Sequence, residues 1–264
     1  MIKKYLKIYF KLFAVTLQAK LEYRFNFFVE LFYGPAYTLV LFLLVRIAYG
    51  RSPLLGGLSL DEGLLLFSVY QLLYLLGILL FFMSIRYFLW EGVRYGQVDL
   101  ILTKPVNPQF MITFGKPEVQ QLPLFLIMIL LFCRQVIILG DQIQFVNLLI
   151  FLIWFFLGLV ILYFSISTFA TLGFFVTRAQ QIIEFFDKVA DNSQYPTPIF
   201  PFSLQMVAFS LIPIAFFGYV QTLFLLGKGS WHHGLIGILL LIILIPLNQF
   251  MWKKGLQHYS SASS

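Results

Sequence analysis

Charge is the scarcest property of this sequence: only 11% of its 264 residues are Asp, Glu, Lys or Arg, where soluble domains carry about 25%. Cysteine is nearly absent too. The single Cys133 excludes an intrachain disulfide and any cysteine-based zinc site. His-Glu-x-x-His and Gly-x-Ser-x-Gly patterns are missing, and with them the metalloprotease and nucleophile-elbow chemistries. His232 and His233 are adjacent, so they diverge on a helix and have no ligand spacing. Gly227-Lys228-Gly229-Ser230 comes nearest to a phosphate loop, but Thr222 stands where the first Gly belongs and Gly229 where Ser or Thr must follow the Lys. Little length remains for a soluble core, so an ATPase domain is excluded.

Apolar residues are abundant: 60% of the chain is hydrophobic, with 32 Phe and 14 Tyr, and the mean hydropathy is +0.89. That composition defines an all-α integral membrane protein, long enough for about six spans of roughly 20 residues. The formal net charge of +7 does not point to nucleic acid, because the cations cluster at the ends of apolar runs, which is the positive-inside pattern. The basic N-terminus has no small-residue cleavage site after a short apolar core, so no cleavable leader is expected.

Residues 1–25 read as an amphipathic helix on the membrane surface, with Lys4, Lys7, Lys11, Gln18 and Glu22 on one face and a broad apolar face opposite. The first span is expected at Phe27–Tyr49. It holds Glu30 and Arg46, each near an interface, and Gly34-Pro35, a kink or entry point. The second span is expected at Leu64–Met83, followed by a loop over Ser84–Glu118 with Arg86, Arg94, Lys104 and Lys116. The third and fourth spans are expected at Leu122–Leu139 and Phe145–Phe175. Ser167, Thr168 and Thr171 in the latter suit either a close helix-packing face or a wet pathway lining.

Thr177–Tyr195 is too polar to face lipid. It reads as a cytoplasmic helix followed by a fifth span at Phe202–Leu226, or as a span facing a polar interior, with Phe202–Leu226 broken at Pro213 into a re-entrant pair. Prolines 196, 198 and 201 make residues 195–226 a broken region in both versions. Glu184, Asp187 and Asp191 fall on one helical face, either solvated with Lys188 beside them or able to bind a cation or act on lipid. The last span is expected at Leu235–Met251, before Trp252-Lys253-Lys254, and Ser260–Ser264 is a loose tail. Counting Lys and Arg by loop puts both termini and the Ser84–Glu118 loop in the cytoplasm.

The run Gly96-Gln-Val-Asp99 followed by Lys104-Pro105-Val-Asn107-Pro108, together with Tyr195-Pro196, Phe200-Pro201 and Leu211-Ile-Pro213, resembles the permease subunit of bacterial type-two ATP-binding-cassette exporters. The resemblance covers nearly the whole chain. It implies a half-transporter of the bacterial inner membrane, in which two permease copies, identical or related, pair and each docks a separate ATPase. ATP and Mg would then be held by that partner, with no cofactor in this chain. The resemblance makes Glu91–Phe110 a cytoplasmic coupling helix between spans two and three, with Glu91, Arg94, Tyr95, Gly96, Asp99, Lys104, Pro105, Asn107 and Pro108 as coupling residues. Pathway or interface candidates are Glu30, Ser167, Thr168, Thr171, Glu184, Asp187 and Asp191, and the expected cargo is hydrophobic or amphipathic. An integral-membrane lipid enzyme built on Glu184, Asp187 and Asp191, and a passive channel or scaffold subunit, are the alternatives.

Overall fold

The computed structural model describes residues 2–22, 24–50, 52–93, 95–176 and 179–259, most of them helical. Arg94 and the Ser260–Ser264 tail lie outside the described residues, and so does the side chain of Glu30. Among the described residues five helices are long and apolar enough to cross a membrane: Leu31–Tyr49, Leu60–Leu89, Pro108–Ile138, Phe145–Phe174 and Trp231–His258.

The first two helices are α1 (Ile2–Glu22) and α2 (Arg24–Tyr49). Pro35 lies inside α2 without ending it. A hairpin with Gly56 and Gly57 at positive φ leads to α3 (Leu60–Gly77). Ser59 caps α3 reciprocally with Glu62: the Glu62 amide donates to its hydroxyl, and its own amide donates to the Glu62 carboxylate at 2.9 Å.

The helix does not stop at Met83, where the apolar run was expected to end. It continues through a π-helical stretch at Ile78–Phe82, a short α4 (Met83–Arg86) and a second π-helical stretch at Tyr87–Gly92. The physical reason is burial: Phe81, Phe82, Ile85 and Leu89 all pack into the main core. A 30-residue helix is about 45 Å long, well beyond the roughly 30 Å of hydrocarbon, so its far end carries the next segment clear of the apolar layer. Residues 92–107 mark this "loop end" of the molecule, and the hairpin at 50–59 marks the "hairpin end".

At the loop end sit α5 (Gln97–Leu102) and α6 (Pro108–Phe114), followed by α7 (Leu122–Ile138), which returns to the hairpin end, and α8 (Phe145–Thr171), which comes back. Next comes α9 (Ala179–Ala190). It packs against the π-helical end of α3, and the chain beyond it reaches Pro196, which lies against Gly56 of the hairpin. The polar segment therefore runs from the loop end to the hairpin end alongside α3, and is not confined to one end.

A continuous fifth span over Phe202–Leu226 does not form. That stretch is α10 (Phe202–Phe209), a turn through Pro213, a 3-10 segment at Ile214–Phe217 and α11 (Tyr219–Leu225). Pro213 has no amide proton to continue a helix, and the broken piece is locked in the interior: Phe216, Phe217, Val220 and Gln221 are fully buried. The Gln221 amide donates to the Phe216 carbonyl at 2.5 Å and to the Trp154 carbonyl at 3.3 Å, so it ties the break to α8. Lys228 then pairs with Glu62 at 2.5 Å, which returns the chain to the hairpin end as a re-entrant pair. The last helix, α12 (Trp231–His258), carries Pro246 internally and ends at the loop end.

Gly158 is the position that lets this re-entrant piece approach α8. A side chain there would meet the Gln221 amide, the Phe216 carbonyl and Leu73. Gly158→Val should therefore destabilise the protein by about 1–3 kcal/mol. A lower melting temperature in detergent is expected, and an unchanged one would show that the re-entrant piece does not seat against α8.

Candidate functional site

The loop end is built as a knob anchored on one side. Gly96 adopts φ 70°, the left-handed region that glycine enters without strain, and so turns the chain into α5. Val98 and Ile101 of α5 are buried in the main core, whereas Leu100 is 67% and Tyr95 65% exposed. Leu102, Thr103, Lys104 and Pro105 are exposed beside them. One face of the short helix is thus anchored, and the other presents apolar and basic groups outward. Asn107 caps α6 by accepting from the Phe110 amide at 3.2 Å, with Pro108 at the first helical position. Glu91 is half-buried in the second π-helical stretch. Asp99 faces Tyr259, just past α12. Burial first, and the Asp99 carboxylate second, push the Tyr259 hydroxyl up to about 12.

Three sets of contacts join this knob to the rest of the molecule. The buried Ser84 hydroxyl donates to the Ile112 carbonyl at 2.8 Å and accepts from the Lys116 amide at 3.0 Å, closing the loop onto α4. Helix α1 lies along α6: Tyr5 packs on Phe110 with ring centroids 4.6 Å apart, Tyr9 on Phe114 at 5.9 Å, and Lys20 pairs with Glu118 at 3.2 Å. Gln109 of α6 reaches both Tyr163 of α8 and Asn248 of α12 at 3.4 Å.

Asn248 is a second centre. Its amide donates to Ser167 at 2.9 Å and to Thr168 at 3.2 Å, and the Trp252 indole also donates to Ser167 at 2.9 Å. Thr171 donates to the Thr168 carbonyl within α8. Ser167 and Thr168 therefore sit at a buried α8–α12 seam. Asn248 and Trp252 were not singled out from sequence, although a lone Asn in the apolar run of α12 is a visible signal of such a bond.

Glu184, Asp187 and Asp191 each find a different partner. Glu184 accepts from Gln180 at 2.6 Å, Asp187 pairs with Arg86 at 3.0 Å, and Asp191 accepts from the Tyr70 hydroxyl at 3.3 Å. The helix ends at Ala190, and Asp191 opens the 3-10 turn that follows. Among the described residues no group of three His, Cys, Asp or Glu side chains is arranged to hold a metal ion. Tyr70 and Tyr74 of α3 and Arg86 of α4 complete this seam against α9. Their partners lie more than a hundred positions away, and no local pattern announces them.

The model of the ABC-2 family transporter proteins matches residues 36–263, and the chain belongs to that family. It is a multi-pass membrane permease component of an ATP-binding-cassette transporter, a type that associates with separate ATPases and is generally not catalytic itself. Comparisons with curated proteins and with solved structures find no match.

The Arg86–Asp187 pair is mostly shielded from water, so removing one partner should leave the other charge poorly solvated. Arg86→Ala should cost about 1–3 kcal/mol of thermal stability in detergent. In a double-mutant cycle with Asp187→Ala, the paired loss should be clearly less than additive. Additive losses would mean that the two side chains do not interact.

Proposed function

We propose that this chain is the membrane-spanning half of an ATP-driven exporter, operating as a pair of permease subunits on two ATPase subunits. It lies in the bacterial inner membrane with both termini and the Glu91–Phe110 loop in the cytoplasm. Its spans carry few charges, which suits a hydrophobic or amphipathic cargo. The knob at α5 is the ATPase contact, with Leu100, Leu102, Tyr95 and Lys104 as the touching groups and Asn107 and Pro108 holding its far side. The observation that carries this reading is the split character of α5. Its inner face is buried with Val98 and Ile101, while the large apolar side chains of Tyr95, Leu100 and Leu102 are exposed. Such a patch gains free energy only when a partner covers it.

Movement of the knob cannot stay local. The Ser84 hydroxyl bonds, the Tyr5 and Tyr9 stacks and the Gln109–Asn248 contact tie it to α4, α1 and α12. ATP would act on the partner by favouring one of two conformations. The push would pass along the π-helical end of α3 to Arg86 and Asp187, and from there to α9. Asp187, Asp191, Tyr70 and Tyr74 make that seam the candidate lining of the pathway, with Thr171, Ser167 and Thr168 as packing groups behind it. π-Helical turns within α-helices often mark such adjustable segments.

Asp99 and Gly96 support the loop from within, so the cleanest disruption lies on the outward face. Leu100→Asp combined with Lys104→Glu should abolish co-purification of the ATPase from mild detergent while leaving the permease monodisperse and its melting temperature within about 2 °C. Retention of a stoichiometric ATPase by this double variant would refute the docking role of α5.

A further inference from the structure

Helices α2 and α7 touch where Gly34 lies against Leu124, and an open groove lies between them. The groove between them has a volume of about 490 Å³ and is floored by Phe42, Phe67 and Met128, with Thr38 partway along. Its lining is almost wholly apolar, and Arg134 is its one charged residue. Both helices run from the loop end to the hairpin end. At 1.5 Å per residue, Arg46 and Arg134 stand about 18 and 15 Å beyond the Gly34–Leu124 contact. Two exposed arginines therefore lie at nearly the same depth, close to the end of α7 at Ile138. Among the described residues neither forms an ion pair.

An arginine facing lipid without a carboxylate is costly, by about 2.5–3.5 kcal/mol at mid-membrane, unless it meets an anion at the interface. Phosphate suits it best, because the planar guanidinium matches two phosphate oxygens at once. A groove of about 490 Å³ lined almost wholly by apolar side chains suits an acyl chain. From this pairing of an apolar slot with a cationic mouth we infer that the α2–α7 groove is a binding site for a single phospholipid of the leaflet at the hairpin end. One acyl chain lies along Phe42 and Met128, and the phosphate lies on Arg134, with Arg46 adding long-range attraction. The lipid wedges α2 away from α7 and so sets the angle of the helix that follows α1. This reading stands on the groove alone and does not depend on which partner docks at the loop end.

Leu130 lines the groove and is 71% exposed, which makes it a site for a probe that does not disturb the core. A benzophenone amino acid placed there, in full-length protein reconstituted into nanodiscs of phosphatidylglycerol diluted in diacylglycerol and neutral lipid, is irradiated and the adducts are weighed. The expected product is one phosphatidylglycerol adduct per chain. Arg134→Gln should lower its yield about tenfold, the loss of one charge-assisted contact, without changing the diacylglycerol adduct. Arg134→Lys keeps the charge and should retain most of the yield, which separates loss of binding from misfolding. Equal yield in Arg134→Gln would reduce the site to bulk annular lipid and overturn the assignment. An adduct with the mass of a second copy of this chain would overturn it as well, making the groove a subunit interface.

Discussion

Hydrocarbon offers no hydrogen-bond partner, so each polar group that this chain carries into its apolar layer has to find one inside the protein. That constraint organises the interior. The Gln221 amide is spent on the carbonyls of Phe216 and Trp154, at the point where Pro213 breaks the helix and a free carbonyl needs a donor. Asn248, Trp252 and Ser167 close on one another across α8 and α12. Arg86 and Asp187 neutralise each other across α4 and α9. Each bond crosses between elements that apolar packing alone would leave free to slide, so the polar groups set the register of the bundle. Gln135 departs from the pattern: it is fully buried and neither amide atom has a partner among the described residues, and nothing in the structure accounts for it.

The same constraint explains why mechanical input at the loop end would travel. The Ser84 hydroxyl lies where α4 meets the returning α6, and it bonds to backbone on both sides of the Gly115 turn. The knob cannot shift without carrying the π-helical end of α3, and Arg86 sits on that end. On the proposed reading the ion pair is the joint at which displacement of the loop becomes displacement of α9, the polar element beside the interior of the bundle. Helix α1, stacked on α6 through Tyr5 and Tyr9, would ride with it.

Much of this architecture is legible in the sequence. Long apolar runs mark α2, α7, α8 and α12 because hydrophobicity over twenty residues has one physical reading. The Asn107-Pro108 pair announces a helix start through capping chemistry that acts within a few residues. What could not be read are the features that distant contacts decide. Met83–Gly92 contains Ser84, Arg86 and Glu91 and looks like the beginning of a loop; it stays helical because Phe82, Ile85 and Leu89 bury against α8 and its neighbours. Pro35 suits a kink or a helix entry, and it lies within α2, well past the start of that helix at Arg24. Glu184, Asp187 and Asp191 have the spacing of one helical face, yet the helix ends before the third and each finds a different partner. The break at Pro213 was visible as a proline, but the re-entrant path around it depends on Gly158, Gln221 and the Lys228–Glu62 pair.

The central claim is that α5 is the surface gripped by the ATPase, and proximity in the living cell tests it most directly. A photo-crosslinking amino acid at Leu102, on the exposed side of α5, is compared with the same group at Asp141, exposed at the opposite end of the bundle. An ATPase-sized adduct from Leu102 and none from Asp141 is the predicted result. An ATPase adduct from Asp141, or none from Leu102 while both proteins are expressed and folded, would contradict the account.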